Sequence, residues 1–215
     1  MIDAIRHGIL GRIAVAYYEW AGYGHNKMIA DWTVIHYRAS ALAFAERLHS
    51  PPPETARRTA IGSAIAFGAP LIDANDIEGT RRVIDISGDG PNNWGQSATV
   101  SRDFAVAAGI TINGLPIVND RPSRWGWPSM PDLDLYYRDC VIGGPGSFLV
   151  VANTFDDFAA AVLKKLIMEI AGTRPPGRIM YVGRLRKPLL LAAAKERLAP
   201  PCDIGERRWR DRDDY

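Results

Sequence analysis

Five oxygen-bearing side chains crowd the stretch VIDISGDGPNN at residues 83–93: Asp85, Ser87, Asp89, Asn92 and Asn93. Carboxylates, hydroxyls and amide oxygens are the ligands that hard cations such as Mg²⁺ or Ca²⁺ take. The run therefore poses three alternatives: a metal site, a phosphate loop or a turn. Asp89 and Gly90 fall where an apolar strand, RRVIDIS, runs out. In open α/β sheets, ligands gather at the carboxyl ends of strands because loops and helix N-termini converge there. A simple Asp-Gly turn explains the same two residues equally well. Asp85 lies inside the strand, two residues before Ser87, so it needs a hydrogen-bonding or charged partner if buried. Both read as support for a site, not as direct ligands. Asn92 and Asn93 follow Gly-Pro, where asparagines commonly satisfy their own backbone; contact with a cation or substrate is the alternative. Thr59 opens the apolar run TAIGSAIAFGAPLI, and its ordinary use there is a helix N-cap. If Thr59 and Asp89 are neighbours, the pair forms part of a hard-cation site, though not all of one.

Other chemistries lack the spacing they need. The glycines at 88, 90 and 95 match neither GxGxxG nor GxxxxGK(S/T), which excludes a phosphate loop. GGPG at 143–146 precedes a strand instead of linking strand to helix, so it reads as a turn. No GxSxG nucleophile elbow occurs, and His7, His25, His36 and His49 show no ligand-like spacing. Cys140 and Cys202 make neither a disulfide framework nor a CxxC pair. Trp125 and Trp127, in RPSRWGWPS, suit an aromatic binding loop or a loop packed on the body. No hydrolase or redox signature emerges.

The elements that must position these residues follow from periodicity. GRIAVAYYEWAG (11–22) and KMIADWTVI (27–35) flank a Gly-Asn turn and predict an antiparallel hairpin. ASALAFAERL (39–48) is a helix ended by Ser50 and three prolines. The run 59–72 is an apolar helix whose glycines imply close packing, and RRVIDIS is a strand. Alternation follows: helix 97–109, strand 109–117, helix 132–141, strand 147–152 and helix 154–172, the last capped by Thr154 with Asp156 and Asp157 at its positive end. Strands alternating with helices imply an α/β layered fold with a mainly parallel sheet. Beyond Gly172, TRPPGR reads as a linker and PLLLAAAKERLA as one short helix in a basic tail. The division is thus a domain over 1–172 and a flexible C-terminal tail over 173–215. No internal repeat occurs.

Composition agrees with one core. The 215 residues are 47% hydrophobic, enough for a single sizeable domain with an appendage. The 26 basic and 24 acidic residues nearly cancel, which gives no electrostatic case for nucleic acid or membrane. From Arg174 onward there are 11 Lys+Arg against 6 Asp+Glu, leaving 15 against 18 before it, so a mildly acidic body carries a basic, solvated tail. No run reaches the ~18 apolar residues of a membrane span, and MIDAIRHGILGR has no leader pattern, so the chain reads as soluble.

Several segments in order, GRIAVAYYEWAG, WTVI, TAIGSAIAFG, RRVIDISGDGPNNWG, RDFAVAAGITINGLPI, YYRDCVIGGPGSFLVVA and KKLIMEIAG, resemble a bacterial von Willebrand factor A-like family, domain-of-unknown-function family 1194. The resemblance spans roughly residues 3–172, and SGDGPNN together with GITINGLPI carries most of its specificity. It implies a doubly wound sheet with a metal-ion-dependent adhesion site built from a DxSxS motif, a threonine from a later loop and an aspartate in a TDG-like turn. By that resemblance Thr59 is the threonine and Asp89 the aspartate, the ion is Mg²⁺ or another divalent cation, and the partner is a protein or other acidic ligand that completes its shell. DISGD (85–89) imitates DxSxS, but it follows the threonine segment instead of preceding it. The resemblance also implies an earlier strand bearing DxSxS, ahead of the point matching Ile2 to Gly11. The sequence reading is therefore of an N-terminally truncated domain without its first central strand, with weakened metal binding. Members of the family look exported or periplasmic. The expected function is cation-dependent binding, not catalysis; the alternatives are a non-functional gene fragment, or a metal-dependent enzyme using Asp89 with Asp85 or Asn93.

Overall fold

The computed structural model describes residues 2–49, 58–118, 129–171, 179–183 and 197–213. A short helix α1 (Ile2–His7) leads into strands β1 (Ile13–Trp20) and β2 (Asn26–Ile35), followed by α2 (Arg38–Leu48) and α3 (Ile61–Asp73). Strand β3 (Val83–Gly88), helix α4 (Ala98–Ala107) and strand β4 (Thr111–Pro116) come next. Helix α5 (Leu133–Tyr136) continues into a wider π-helical turn over Tyr137–Val141. The order closes with β5 (Leu149–Ala152), α6 (Phe158–Ala171), β6 (Ile179–Val182) and α7 (Ile204–Asp213).

Strands β3, β4, β5 and β6 form one parallel sheet in that order, with Val83 opposite Thr111 and Leu149 opposite Ile179. Side-chain alternation divides the core between two faces. Ile84, Ile86, Ile112, Leu149 and Val151 join α3, α4 and α5 on one side. Leu115, Ile117, Val150 and Ala152 meet Phe158, Ala161 and Val162 of α6 on the other. Each fully buried branched side chain contributes about 1.5–3 kcal/mol over its exposed state, so the two layers fix strand register firmly. This is the expected α/β architecture, a parallel sheet with helices packed on both faces.

The predicted hairpin forms, with β1 antiparallel to β2 and Gly24 in the left-handed region of its turn. It leans on α3: Tyr18 Oη donates to the Ala64 carbonyl at 3.0 Å and Trp32 Nε1 to the Leu71 carbonyl at 3.0 Å. The glycine-rich helix is close-packed as expected, since a Cβ on Gly68 would come within 2.6 Å of Tyr18 Oη. Among the described residues the hairpin shares no ladder with the four-stranded sheet. Between the two lies a cavity of about 1920 Å³, bordered by every residue from Arg12 to Ala21 and by Val83, Ile84, Asp85 and Ser87 to Pro91. Consecutive lining along β1 means that the cavity meets the strand's edge, because a strand face exposes only alternate residues.

Some boundaries shift. The helix read from Thr59 starts at Ile61, and the one read from Thr154 starts at Phe158, after a turn in which Thr154 Oγ1 accepts from the Asp157 amide at 3.2 Å. Two described parts of the segment 173–215 are regular elements: β6 is the sheet's fourth strand and α7 packs on the body. A basic tail outside the domain is not how these residues sit. Cys140 and Cys202, which matched no pattern in sequence, form a disulfide across 62 residues. Trp125, Trp127, the TRPPGR linker and most of PLLLAAAKERLA lie outside the described residues. No described helix is long and apolar enough to cross a membrane.

Candidate functional site

The loop after β3 and the segment before α3 meet at the carboxyl end of the sheet. Two reciprocal bonds join them: Thr59 N–H donates to Asn93 Oδ1 at 2.8 Å, and Asn93 N–H donates to the Thr59 carbonyl at 2.8 Å. The clasp brings Thr59 beside the Asp89 turn, where a Cβ on Gly90 would sit 3.5 Å from Thr59 Oγ1. Asp89 itself is exposed at the rim of the cavity. Thr59 is not the N-cap of α3. Ala60 occupies that position without a side-chain cap, and the fully buried Asn92 supplies the missing acceptor, taking the Gly62 amide at 3.0 Å. Orphan N–H groups at a helix start need such an acceptor, and here it comes from another loop. Gly62 is required because a Cβ would press on the Gln96 carbonyl and lie 2.7 Å from Ser97.

Asn92 is fully engaged. Its amide donates to Tyr136 Oη at 3.1 Å, and its Nδ2 donates to the Gln96 carbonyl at 3.1 Å and to Glu206 Oε1 at 2.7 Å. Both asparagines therefore organise the rim by holding backbone. Behind them the Tyr137 hydroxyl is buried with no hydrogen bond among the described residues, and a Cβ on Gly88 would lie 2.7 Å from it. Burial, then the neighbouring Tyr136 and Asp89, push its pKa well above the ordinary tyrosine value.

Asp85 and Ser87 are strand neighbours on the sheet face turned towards α6, apart from the Thr59 clasp. The expected partner of Asp85 is Lys165, which is 2% exposed and forms an ion pair with it. One helical turn further, Glu169 Oε1 accepts from Asn113 Nδ2 at 3.0 Å. Burial, and then the Asp85 charge, push Glu169 up to about 8, against the opposing pull of Lys165. The buried Lys165 is thus paired with Asp85 and also lies close enough to Glu169 to pull against its raised pKa. The sequence reading missed Lys165 and Glu169. Their signal is a lysine and a glutamate four residues apart on the otherwise apolar α6 stripe. Asp134 and Arg197 were missed as well: the buried Asp134 accepts a two-pronged bond from Arg197 at 2.7 and 3.1 Å and one from Tyr181 Oη at 2.5 Å. Burial opposes the Asp134 charge, but these partners outweigh it and hold the carboxyl below its usual range.

For a metal, the rim offers the Thr59 hydroxyl and the Asp89 carboxylate, hard oxygen donors of the type Mg²⁺ prefers. Two ligands leave most of an octahedral shell to water or a bound acid. Among the described residues, no three His, Cys, Asp or Glu side chains are grouped to hold an ion.

Comparison with known proteins gives the following. A family model described as "Protein of unknown function (DUF1194)" matches residues 1–174. The conserved hypothetical protein BatB from Bacteroides thetaiotaomicron is a structural neighbour at 19% identity and a TM-score of 0.45, over 74% of this chain and 80% of that one. An aerotolerance-related membrane protein from Bacteroides fragilis, crystallised with multiple mutations to serines, has 18% identity and a TM-score of 0.41, over 80% of this chain and 72% of that one. None of the curated proteins matches this chain.

Proposed function

The chain belongs to the DUF1194 family of proteins of unknown function, and from its geometry we propose that it is a binding domain of the von Willebrand A type. Its binding face is the rim at the carboxyl end of β3, where Thr59 and Asp89 hold a divalent cation weakly and the cation recruits an acidic group of a protein or other ligand. The observation that carries this reading is the Thr59–Asn93 clasp, which brings the Thr59 hydroxyl to the Asp89–Gly90 turn, where the Asp89 side chain is exposed. Catalysis has less support, because Asp85 is paired with Lys165 and Asn93 Oδ1 with the Thr59 amide. The Cys140–Cys202 disulfide favours an exported or periplasmic setting, since such bonds persist in oxidising compartments.

Thermal unfolding with and without millimolar Mg²⁺ or Mn²⁺ tests the reading. Either ion raises Tm by mass action on the folded state, and the rise is lost in Asp89→Ala. Equal shifts in both proteins, or none in either, contradict it.

A further inference from the structure

Helix α7 lies beyond the family match, yet its contacts converge on the rim. Glu206 and Trp209, three residues apart and so on one face, reach the rim with their side chains, while Ile204 at the start of the helix packs against the core. Glu206 Oε1 accepts from Asn92 Nδ2 at 2.7 Å. The Arg58 guanidinium, adjacent to Thr59, lies over the rings of Trp94 at 3.8 Å and of Trp209 at 3.6 Å. Gly205 is buried so closely against the Asn92 carbonyl that a side chain there would collide with it. Gly205, Arg208 and Trp209 border the same cavity mouth as Thr59 and Asp89.

Two anchors lead the chain to this position. Arg197 grips Asp134, and Cys202 is bonded to Cys140 two residues before α7 begins. Between them, Tyr136 Oη donates to the Cys202 carbonyl at 3.3 Å while accepting from the Asn92 amide, so strap and rim share one hydroxyl. A ten-residue helix, IGERRWRDRD, is too short to persist alone, and with Arg207, Arg208, Arg210 and Asp211 exposed it is held to the body along one face. The second Glu206 oxygen, Oε2, is buried without a hydrogen bond among the described residues, which costs stability in the closed position. Tethering compensates by raising the local concentration of α7 at the rim.

We infer that α7 is a resident ligand of the binding face: a disulfide-anchored strap whose Glu206 and Trp209 cover the rim, and which a partner must displace. The rim accordingly suits a helix presenting an acidic residue and an aromatic residue three positions apart. The inference rests on the proposed binding face for its functional meaning, but the covering itself can be measured separately.

The test compares the full chain with Glu206→Ala/Trp209→Ala, and with Arg207→Ala on the exposed side of α7 as control. Backbone hydrogen exchange is followed at Thr59, Gly62, Asn92 and Asn93, together with Mn²⁺ affinity. In the double variant the four rim amides exchange about fivefold faster or more, and Mn²⁺ binds about fivefold more tightly, within the usual range of coupling between sites. The β4 amides stay unchanged, which shows an intact fold, and Arg207→Ala matches wild type. Unchanged rim exchange in the double variant overturns the strap, whatever Mn²⁺ does. Faster rim exchange without Mn²⁺ binding to any of the proteins supports the strap and removes the cation from the proposed function. Rim exchange that rises together with β4 exchange also overturns it, since α7 would then be a general support of the fold.

Discussion

Replacing Glu169 with glutamine should flatten a pH dependence that the wild-type protein shows. The folded state raises the Glu169 carboxyl from 4.5 to about 8, through burial and the Asp85 charge. The folded protein therefore binds a proton that the unfolded chain has released across that interval, so this group stabilises fully below about pH 4.5, and its contribution is lost as pH rises through about 8. One pKa unit corresponds to ~1.4 kcal/mol, so the rise from 4.5 to about 8 sets a ceiling of roughly 5 kcal/mol. Glu169 borders the large cavity, and the effective dielectric of a protein interior is well above that of a dry medium, which brings the expected loss to about 2–3 kcal/mol. Urea unfolding at fixed ionic strength, from pH 5 to pH 8.5, measures it. Every other titratable group is common to both proteins, so the difference between wild type and Glu169→Gln isolates this one group. Asp85→Asn gives the complementary result: with the competing carboxylate gone, Lys165 pairs with Glu169, its pKa falls, and the slope shrinks. Parallel stability curves for wild type and Glu169→Gln would refute the reasoning, because the cluster would then not hold a proton on folding.

Three further outcomes follow from the same contacts. Asn92→Ala removes the acceptor for the Gly62 amide and the donor to Glu206, and should cost about 2–4 kcal/mol by chemical denaturation. Cys140→Ala/Cys202→Ala opens a cross-link over 62 residues and should lower stability by about 2–4 kcal/mol, a loss that reduction of the wild type reproduces. Arg197→Ala leaves Asp134 buried without its cation; because Arg197 is itself half exposed, the expected loss is about 2 kcal/mol, below the range for fully buried pairs. That loss should shrink as pH falls and Asp134 takes up a proton.

Much of the fold was legible because its signals are local. Alternating apolar strands, the hairpin turn and the apolar α3 stripe each declare themselves within a dozen residues, and SGDGPNN with GITINGLPI pointed to the family. Asp85 announced its need for a partner, since a carboxylate inside an apolar strand has few alternatives. What the sequence hid was which partner. Lys165 lies 80 residues away, and only the packing of α6 across β3 joins the two. Thr59 was legible as a candidate, but its predicted capping role belongs to Asn92, which approaches α3 from a loop 30 residues further on. The C-terminal segment was legible in composition but not in contacts. Its basic composition suits a solvated tail, whereas Arg197 and Cys202 find specific partners at Asp134 and Cys140. Charge composition counts residues without showing which of them meet a buried acid.

A binding face at Thr59 and Asp89 is open to direct Mn²⁺ titration of the 215-residue chain, with Asp89→Ala and Thr59→Ala measured alongside. Weak saturable binding at one site is expected, with a dissociation constant on the order of 10⁻⁴–10⁻³ M as befits few protein ligands. Binding is abolished in Asp89→Ala and weakened in Thr59→Ala. Binding that is identical in all three proteins, or absent from the wild type and from the protein with the α7 contacts removed, would contradict it.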